Sequence, residues 1–311
     1  SPMKGGIAAG LAMALGLSIS IELLPMVAAF GGILAFRWFR DRAQRWWLVS
    51  YMQALALGLA ALFLATKGMG DLAQHCDAVA PAHLGFFVIA ALGTGAIAAA
   101  PSVPIFALFS LFALIGVSSL TFFGMSSPTC LTTPFAGLDP VVRDFWYINI
   151  VEGRPLWEQD LLTAIPTFLQ LLAGLFASVI LISRNRDWLR DWWTEYALLL
   201  AASILISIFV WRSAALAGII ATIPLAWLAT RLLRRMRMAT GTGSKLLSAL
   251  AIVLVLLPAT PITLFQTFKI QDTAPEGGNA QAARVAESQC AIMDQAAKLN
   301  ALPKSTILAP F

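Results

Sequence analysis

The chain alternates long apolar stretches with short polar ones, and the apolar stretches have the length of membrane-crossing helices. A helix that crosses the roughly 30 Å hydrocarbon layer of a bilayer needs about 20 residues, because it rises about 1.5 Å per residue. The pattern predicts an all-α integral membrane protein with about nine transmembrane helices, at residues 6–20, 24–38, 47–66, 83–100, 104–124, 162–183, 194–211, 214–233 and 246–265.

The first two apolar stretches are short and are separated only by the region around Glu22 and Pro25. This spacing suits a hairpin of two tilted helices, and it also suits one broken helix. We count two helices.

The composition identifies lipid as the solvent for most of the surface. Charged residues make up 12% of the 311 residues and hydrophobic residues 59%. A soluble domain carries about 25% charged residues, because its surface must be hydrated. The net charge of +5 does not indicate nucleic acid, since the basic residues flank the apolar segments, as the positive-inside rule predicts.

The basic residues also predict the orientation. If the N-terminus is cytoplasmic, most of the 21 Lys and Arg residues fall in the inner connections and few fall in the outer loops. Such a bias sets the direction of insertion, so we predict a multi-pass membrane protein with a cytoplasmic N-terminus and its C-terminus outside the cytoplasm.

Two inner loops, 37–47 and 184–193, have similar sequences that contain both arginine and tryptophan. They suggest either an internal duplication or two independent helix anchors, and the lack of similarity in the neighbouring spans favours the anchors. Arginine binds anionic head groups and tryptophan favours the bilayer interface. We therefore predict contacts with anionic lipids at Arg37, Arg40, Arg42, Arg45, Arg184, Arg186 and Arg190.

The organisation predicted from these features is a transmembrane domain at 1–267, with outer loops at 67–82 and 125–161, and a periplasmic tail at 268–311. The tail begins with a polar, Gly-rich linker and continues with one predicted helix and one predicted strand. One helix and one strand are too little to bury a core. We interpret the tail as the start of a small α/β domain, and the chain as part of a longer, truncated or split polypeptide.

Cys76 and Cys130 both lie in predicted outer loops, where an oxidising compartment allows a disulfide. The alternative is two free thiols at unrelated depths. The sequence has no Cys-x-x-Cys and no His-x-x-x-His spacing, so we predict no metal site, and no cofactor is evident.

Glu22 is the first candidate for substrate binding. A carboxylate close to hydrocarbon is costly unless it is paired or hydrated, which suggests an outward-facing polar cavity that binds a substrate or a cation. The alternative is an interfacial glutamate that caps the helix beginning near Pro25, where a negative charge suits the helix dipole.

The second candidate is the loop that contains Asp139, Arg143 and Asp144. Asp139 and Pro140 resemble the N-cap and first residue of an amphipathic helix. The charged side chains could meet a phosphate-bearing or polar substrate at the membrane surface. Alternatively, the aromatic residues at 145–147 only hold the loop at the interface.

The order of these features resembles the polytopic glycosyltransferases of the GT-C superfamily, in particular an alphaproteobacterial inner-membrane group. The resemblance is carried by 16–25, which leads into a helix that ends in 37–45, and by 130–140 with 143–147. The resemblance implies a location in the bacterial inner membrane with a periplasmic C-terminus. It also implies transfer of a sugar from a polyprenyl-phosphate donor to an acceptor at the outer face. That family's catalytic acid lies in a first outer loop that would precede Ser1, so the resemblance assigns no catalytic residue here.

Two other functions remain open. The first alternative is a non-catalytic membrane subunit of a larger complex. The second is a transporter, which is disfavoured because the predicted spans contain almost no ionisable residues, whereas ion-coupled carriers need them near the middle of the membrane.

Overall fold

The computed structural model describes residues 1–70, 72–100, 103–131 and 150–257. Within these ranges the chain forms helices and no strand. Eight helices are long and apolar enough to cross a membrane, where α2 is counted with the 3-10 turn Ile21–Leu23 before it. In chain order they are α1 Pro2–Ile19, α2 Leu24–Arg40, α3 Arg45–Thr66, α4 Pro81–Ala99, α5 Ile105–Ser126, α6 Leu161–Arg184, α7 Asp187–Phe209 and α8 Ser213–Met238.

The all-helical architecture is therefore confirmed for the described residues, and eight of the nine expected spans correspond to helices that are long and apolar enough to cross a membrane. The ninth expected span, 246–265, overlaps a shorter apolar helix, α9 Thr242–Leu256, and continues beyond the described residues. The tail at 268–311 also lies outside them, so the expected helix and strand there stay predictions.

The first two apolar stretches form two helices rather than one. Ser20 has extended backbone angles, φ −149° and ψ 120°, which end α1 before the turn into α2. Along α1, Gly6 lies against Ser50 and Ala14 lies against Gly58, so α1 runs parallel to α3. α2 returns in the opposite direction, with Arg37 over the ring of Trp47 at the start of α3.

We call the end of the bundle where α1, α3, α5 and α7 finish the outer end, and the opposite end the inner end, following the predicted orientation. Consecutive helices run in opposite directions, as Gly85 beside Phe122 and Gly93 beside Ile115 show for α4 and α5. Each connection between helices therefore lies at one end or the other.

A row of small residues lets α1 and α3 approach closely. Gly6, Gly10 and Ala14 are four residues apart and all three are buried. A Cβ atom added at Gly10 would lie 2.9 Å from the backbone nitrogen of Leu55 and still closer to the carbonyl oxygen of Tyr51. Close backbone contact through small residues is a main source of packing energy between helices in lipid, where apolar burial drives little association.

The described helices form two buried clusters. Residues of α1 to α5 form the larger one, which includes Leu17, Tyr51 and Leu55. Residues of α6, α7 and α8 form the second, which includes Leu171 and Leu200. α2 packs against α7, and this contact connects the two clusters.

α5 is the most exposed of the spanning helices. Only Leu108 and Ser119 of its 22 residues are buried, and Phe106 is 85% exposed. A helix that is apolar on all sides and exposed in this way is stable only if lipid or another membrane protein covers it.

Candidate functional site

Glu22 lies at the outer end, in the 3-10 turn between α1 and α2, and faces Arg212. Arg212 is the N-cap residue of α8, and its Nη2 atom lies 2.5 Å from Oε1 of Glu22. The side chains of Glu22 and Arg212 are 21% and 39% exposed, respectively. The pair is therefore half-buried at the edge of the apolar bundle, and each charge lowers the cost of placing the other there.

The last part of the α5–α6 loop holds Arg212 in place. The backbone N–H of Arg212 donates to the carbonyl oxygen of Glu152 at 2.9 Å, and that of Trp211 donates to the carbonyl oxygen of Arg154 at 3.1 Å. These two hydrogen bonds join the turn between α7 and α8 to the 3-10 turn Val151–Gly153 and to Arg154, which follows it. The guanidinium group thus projects from an anchored backbone.

Aromatic rings surround this turn. Trp157 meets Phe209 edge to face at a centroid distance of 6.1 Å, and Phe168 stacks on Trp211 with the ring planes 16° apart. Trp157 is 65% exposed. Sites that bind small molecules usually contain a few polar groups among apolar and aromatic side chains.

The structure shows what the side chain of Glu22 contacts. α2 begins after Leu23 without a side-chain cap hydrogen bond, so Glu22 does not cap this helix by a hydrogen bond. Glu22 instead forms an ion pair with a distant part of the chain. Our sequence analysis missed Arg212 as the partner, although its isolation in an apolar outer turn between 194–211 and 214–233 was a usable signal.

The second candidate site lies in the loop between α5 and α6. Asp139, Arg143 and Asp144 lie outside the described residues. Their substrate-binding role therefore stays a prediction.

A disulfide joins the two outer loops that contain cysteine. Cys76 and Cys130 are bonded with an S–S length of 1.99 Å and a Cα–Cα distance of 5.0 Å. The bond ties the α3–α4 connection to the segment after α5 at the outer end. The alternative of two free thiols does not describe this structure.

Two further ion pairs lie at the inner end, between the end of α2 and the start of α7. Arg37 donates from Nε and Nη2 to the two carboxylate oxygens of Glu195, both at 2.6 Å. Arg40 donates to Asp191 at 3.2 Å. These two arginines, which we expected to meet anionic lipids, thus have partners within the protein.

No cluster of three metal-ligating side chains occurs within the described part of the chain. No protein-family model matches this chain, and no match is found among the curated proteins or the solved structures. The arrangement of its own residues is therefore the basis for any functional conclusion.

Proposed function

We propose that this chain is part of an inner-membrane, GT-C-like glycosyltransferase that moves a sugar from a polyprenyl-phosphate donor to an acceptor at the outer face. The observation that carries the proposal is the Glu22–Arg212 pair, a carboxylate and a guanidinium together at the outer end of an apolar bundle. The orientation, with the inner end in the cytoplasm, is part of the same proposal and follows from the basic residues.

The pair offers complementary groups to a lipid-linked sugar. A guanidinium has five N–H donors in a planar fork, and Glu22 engages only part of that set, so Arg212 retains donors for a phosphate oxygen. The carboxylate of Glu22 accepts hydrogen bonds from sugar hydroxyl groups. Charge-assisted hydrogen bonds of both kinds are strong where water is partly excluded.

The proposed reaction breaks the bond between the anomeric carbon and the donor phosphate oxygen, and it forms a bond from that carbon to the acceptor oxygen. The polyprenyl phosphate leaves with the bonding electron pair, and Arg212 offsets the negative charge that develops on it. The acceptor proton passes to a base. Glu22 and Arg212 bind substrate in this proposal, and the base is a separate group.

One observation favours the alternative, a non-catalytic subunit of a larger membrane complex. The faces of α5 are apolar and almost wholly exposed, with Phe109 68% and Val117 61% exposed. Helices of a neighbouring subunit could cover these side chains in place of lipid. In that case the Glu22–Arg212 pair would serve only to join α2 to the α7–α8 turn.

Variants that remove one charge of the Glu22–Arg212 pair distinguish the two proposed functions. Glu22→Gln keeps the volume and most hydrogen bonding of the side chain but removes the charge, and Arg212→Gln removes the opposite charge. Glycosyl transfer by the full polypeptide would be measured in membrane vesicles with a polyprenyl-phosphate sugar and an outer-face acceptor. We expect each variant to lose at least about tenfold in rate, because a charged hydrogen bond contributes about 1.5 to 3 kcal/mol.

Asp77→Asn provides the matched control, because Asp77 is an exposed acid at the same end of the bundle. It should transfer sugar at the wild-type rate. Wild-type rates for both pair variants, or an equal loss in the Asp77 variant, would refute the proposed binding role. If the unmodified polypeptide transfers no sugar at all, the subunit alternative is favoured.

A further inference from the structure

The inner end of the bundle contains a cavity of about 830 Å³ where α6, α8 and α9 meet. Arg184 at the end of α6 lines it together with three arginines of the last turns of α8. These three are Arg231, Arg234 and Arg235. The other wall is apolar and includes Ile180, Leu228 and Leu232.

One tryptophan ring contacts two of these arginines. The guanidinium carbon of Arg184 lies 5.9 Å from the ring centroid of Trp227, and that of Arg231 lies 5.6 Å from the same ring. A cation near the face of an indole ring is attracted by the ring quadrupole. Trp227 therefore contacts two positive groups from different helices at the edge of the cavity.

Among the described residues, no acidic side chain neutralises the charge in this cavity. No aspartate or glutamate lines the cavity, and none forms an ion pair with its four arginines in the part of the chain that the structure describes. Arg37 and Arg40, at the same end of the bundle, are paired with acids. Within the described ranges, the four arginines of the cavity therefore differ from Arg37 and Arg40, because they have no acidic partner.

α9 adds to the positive potential. It begins at this cavity, Ser244 of its first turn lines the wall, and no side chain caps its N-terminus. The first N–H groups of a helix lack partners within the helix and, with the helix dipole, attract anions. Arginines from two helices and the start of a third helix therefore converge on one space.

We propose that this cavity binds the phosphate group of an anionic lipid that carries a phosphomonoester head group. The arginines and the start of α9 contact the phosphate, and the apolar wall receives the adjoining part of the lipid. The positive-inside bias alone requires basic residues at this end, but it does not require a concave site or arginines gathered on one ring. The proposal does not depend on the glycosyl-transfer proposal.

The test measures lipid binding to the purified full polypeptide in detergent by native mass spectrometry. The probes are short-chain phosphatidic acid, short-chain phosphatidylcholine and inorganic phosphate. We expect phosphatidic acid to bind at least about tenfold more tightly than the other two, since only it combines an uncapped phosphate with an apolar anchor. If phosphatidylcholine binds as tightly as phosphatidic acid, the proposal is wrong. If inorganic phosphate binds as tightly as phosphatidic acid, the cavity is a site for free phosphate and not for a lipid.

Paired variants distinguish the cavity from surface charge. The double variant Arg184→Gln with Arg231→Gln should weaken phosphatidic acid binding at least about tenfold. The double variant Arg186→Gln with Arg190→Gln removes the same charge from the same end of the bundle but outside the cavity, and it should change the affinity less than about twofold. Equal losses in both double variants would overturn the site.

Trp227→Leu offers a second variant that leaves the charge unchanged. It should weaken phosphatidic acid binding by releasing Arg184 and Arg231, while Trp227→Phe should retain more of the affinity. A wild-type affinity for Trp227→Leu in a correctly folded protein would overturn the proposed role of the ring.

Discussion

Arg37 and Glu195 lie on different helices, 158 residues apart, and meet through two parallel hydrogen bonds of 2.6 Å. Their side chains are 24% and 23% exposed, so the pair is largely shielded from solvent. Together with Glu22 and Arg212 at the outer end, this contact pins the α2–α7 side of the bundle at both membrane faces. The two buried clusters are therefore joined by charge as well as by apolar packing.

The first prediction concerns the strength of this inner pair. A double-mutant cycle with Arg37→Gln and Glu195→Gln should give a coupling energy of about 1 to 3 kcal/mol, because the geometry is bidentate and partly shielded. The measurement is thermal unfolding in detergent. The neighbouring Arg40–Asp191 pair is the control. Its side chains are 57% and 56% exposed and its distance is 3.2 Å, so its coupling should stay below about 1 kcal/mol. Equal coupling energies would contradict the argument from shielding.

The second prediction concerns the contact between α1 and α3. Gly10→Ala should destabilise the protein by about 1 to 3 kcal/mol, because the added methyl group meets backbone atoms of α3 that cannot rotate away. Gly218→Ala in α8 is the matched control, since its Cβ meets nothing within 4 Å. It should be neutral or slightly stabilising. Melting curves in the same detergent compare the two, and an unchanged melting temperature for Gly10→Ala would refute the close approach.

The third prediction concerns the disulfide. Mass spectrometry without reduction should find the peptides of Cys76 and Cys130 linked, and recovery of both as alkylated thiols would contradict the bond. Cys76→Ser should lower the melting temperature. The effect should stay below the roughly 4 kcal/mol that loop closure over this separation would contribute in water, because inserted helices remain constrained after unfolding. Cys130→Ser and the double variant should lower the melting temperature by the same amount.

The fourth prediction concerns orientation. Alkaline phosphatase folds only outside the cytoplasm, so a fusion after Lys269 should be active and a fusion after Arg237 inactive. The physical reason is the excess of basic residues in the inner connections. A fluorescent protein that folds only in the cytoplasm should show the opposite pattern at the same two positions. The reverse result with both reporters would exchange the outer and inner ends.

The span positions were predictable from the sequence because one physical constraint determines them. In lipid, every backbone polar group must be satisfied inside its own helix, and the helix must match the thickness of the bilayer. The predicted spans 47–66, 104–124 and 162–183 accordingly coincide with α3, α5 and α6 to within two residues. The row of small residues at Gly6, Gly10 and Ala14 could also have been found in the sequence, since four-residue spacing marks a packing face.

The partners of these elements were decided only by tertiary packing. Apolar helices present similar surfaces to lipid and to one another, so hydropathy does not say that α1 packs against α3 or that α2 packs against α7. The candidate role of Glu22 followed from its place near hydrocarbon, but its pairing with Arg212 depends on two turns that are brought together by the packing of the six helices between them. The cavity of Arg184 and Arg231 likewise exists only where three helix ends converge, because a charge pattern along the chain does not specify a concave space.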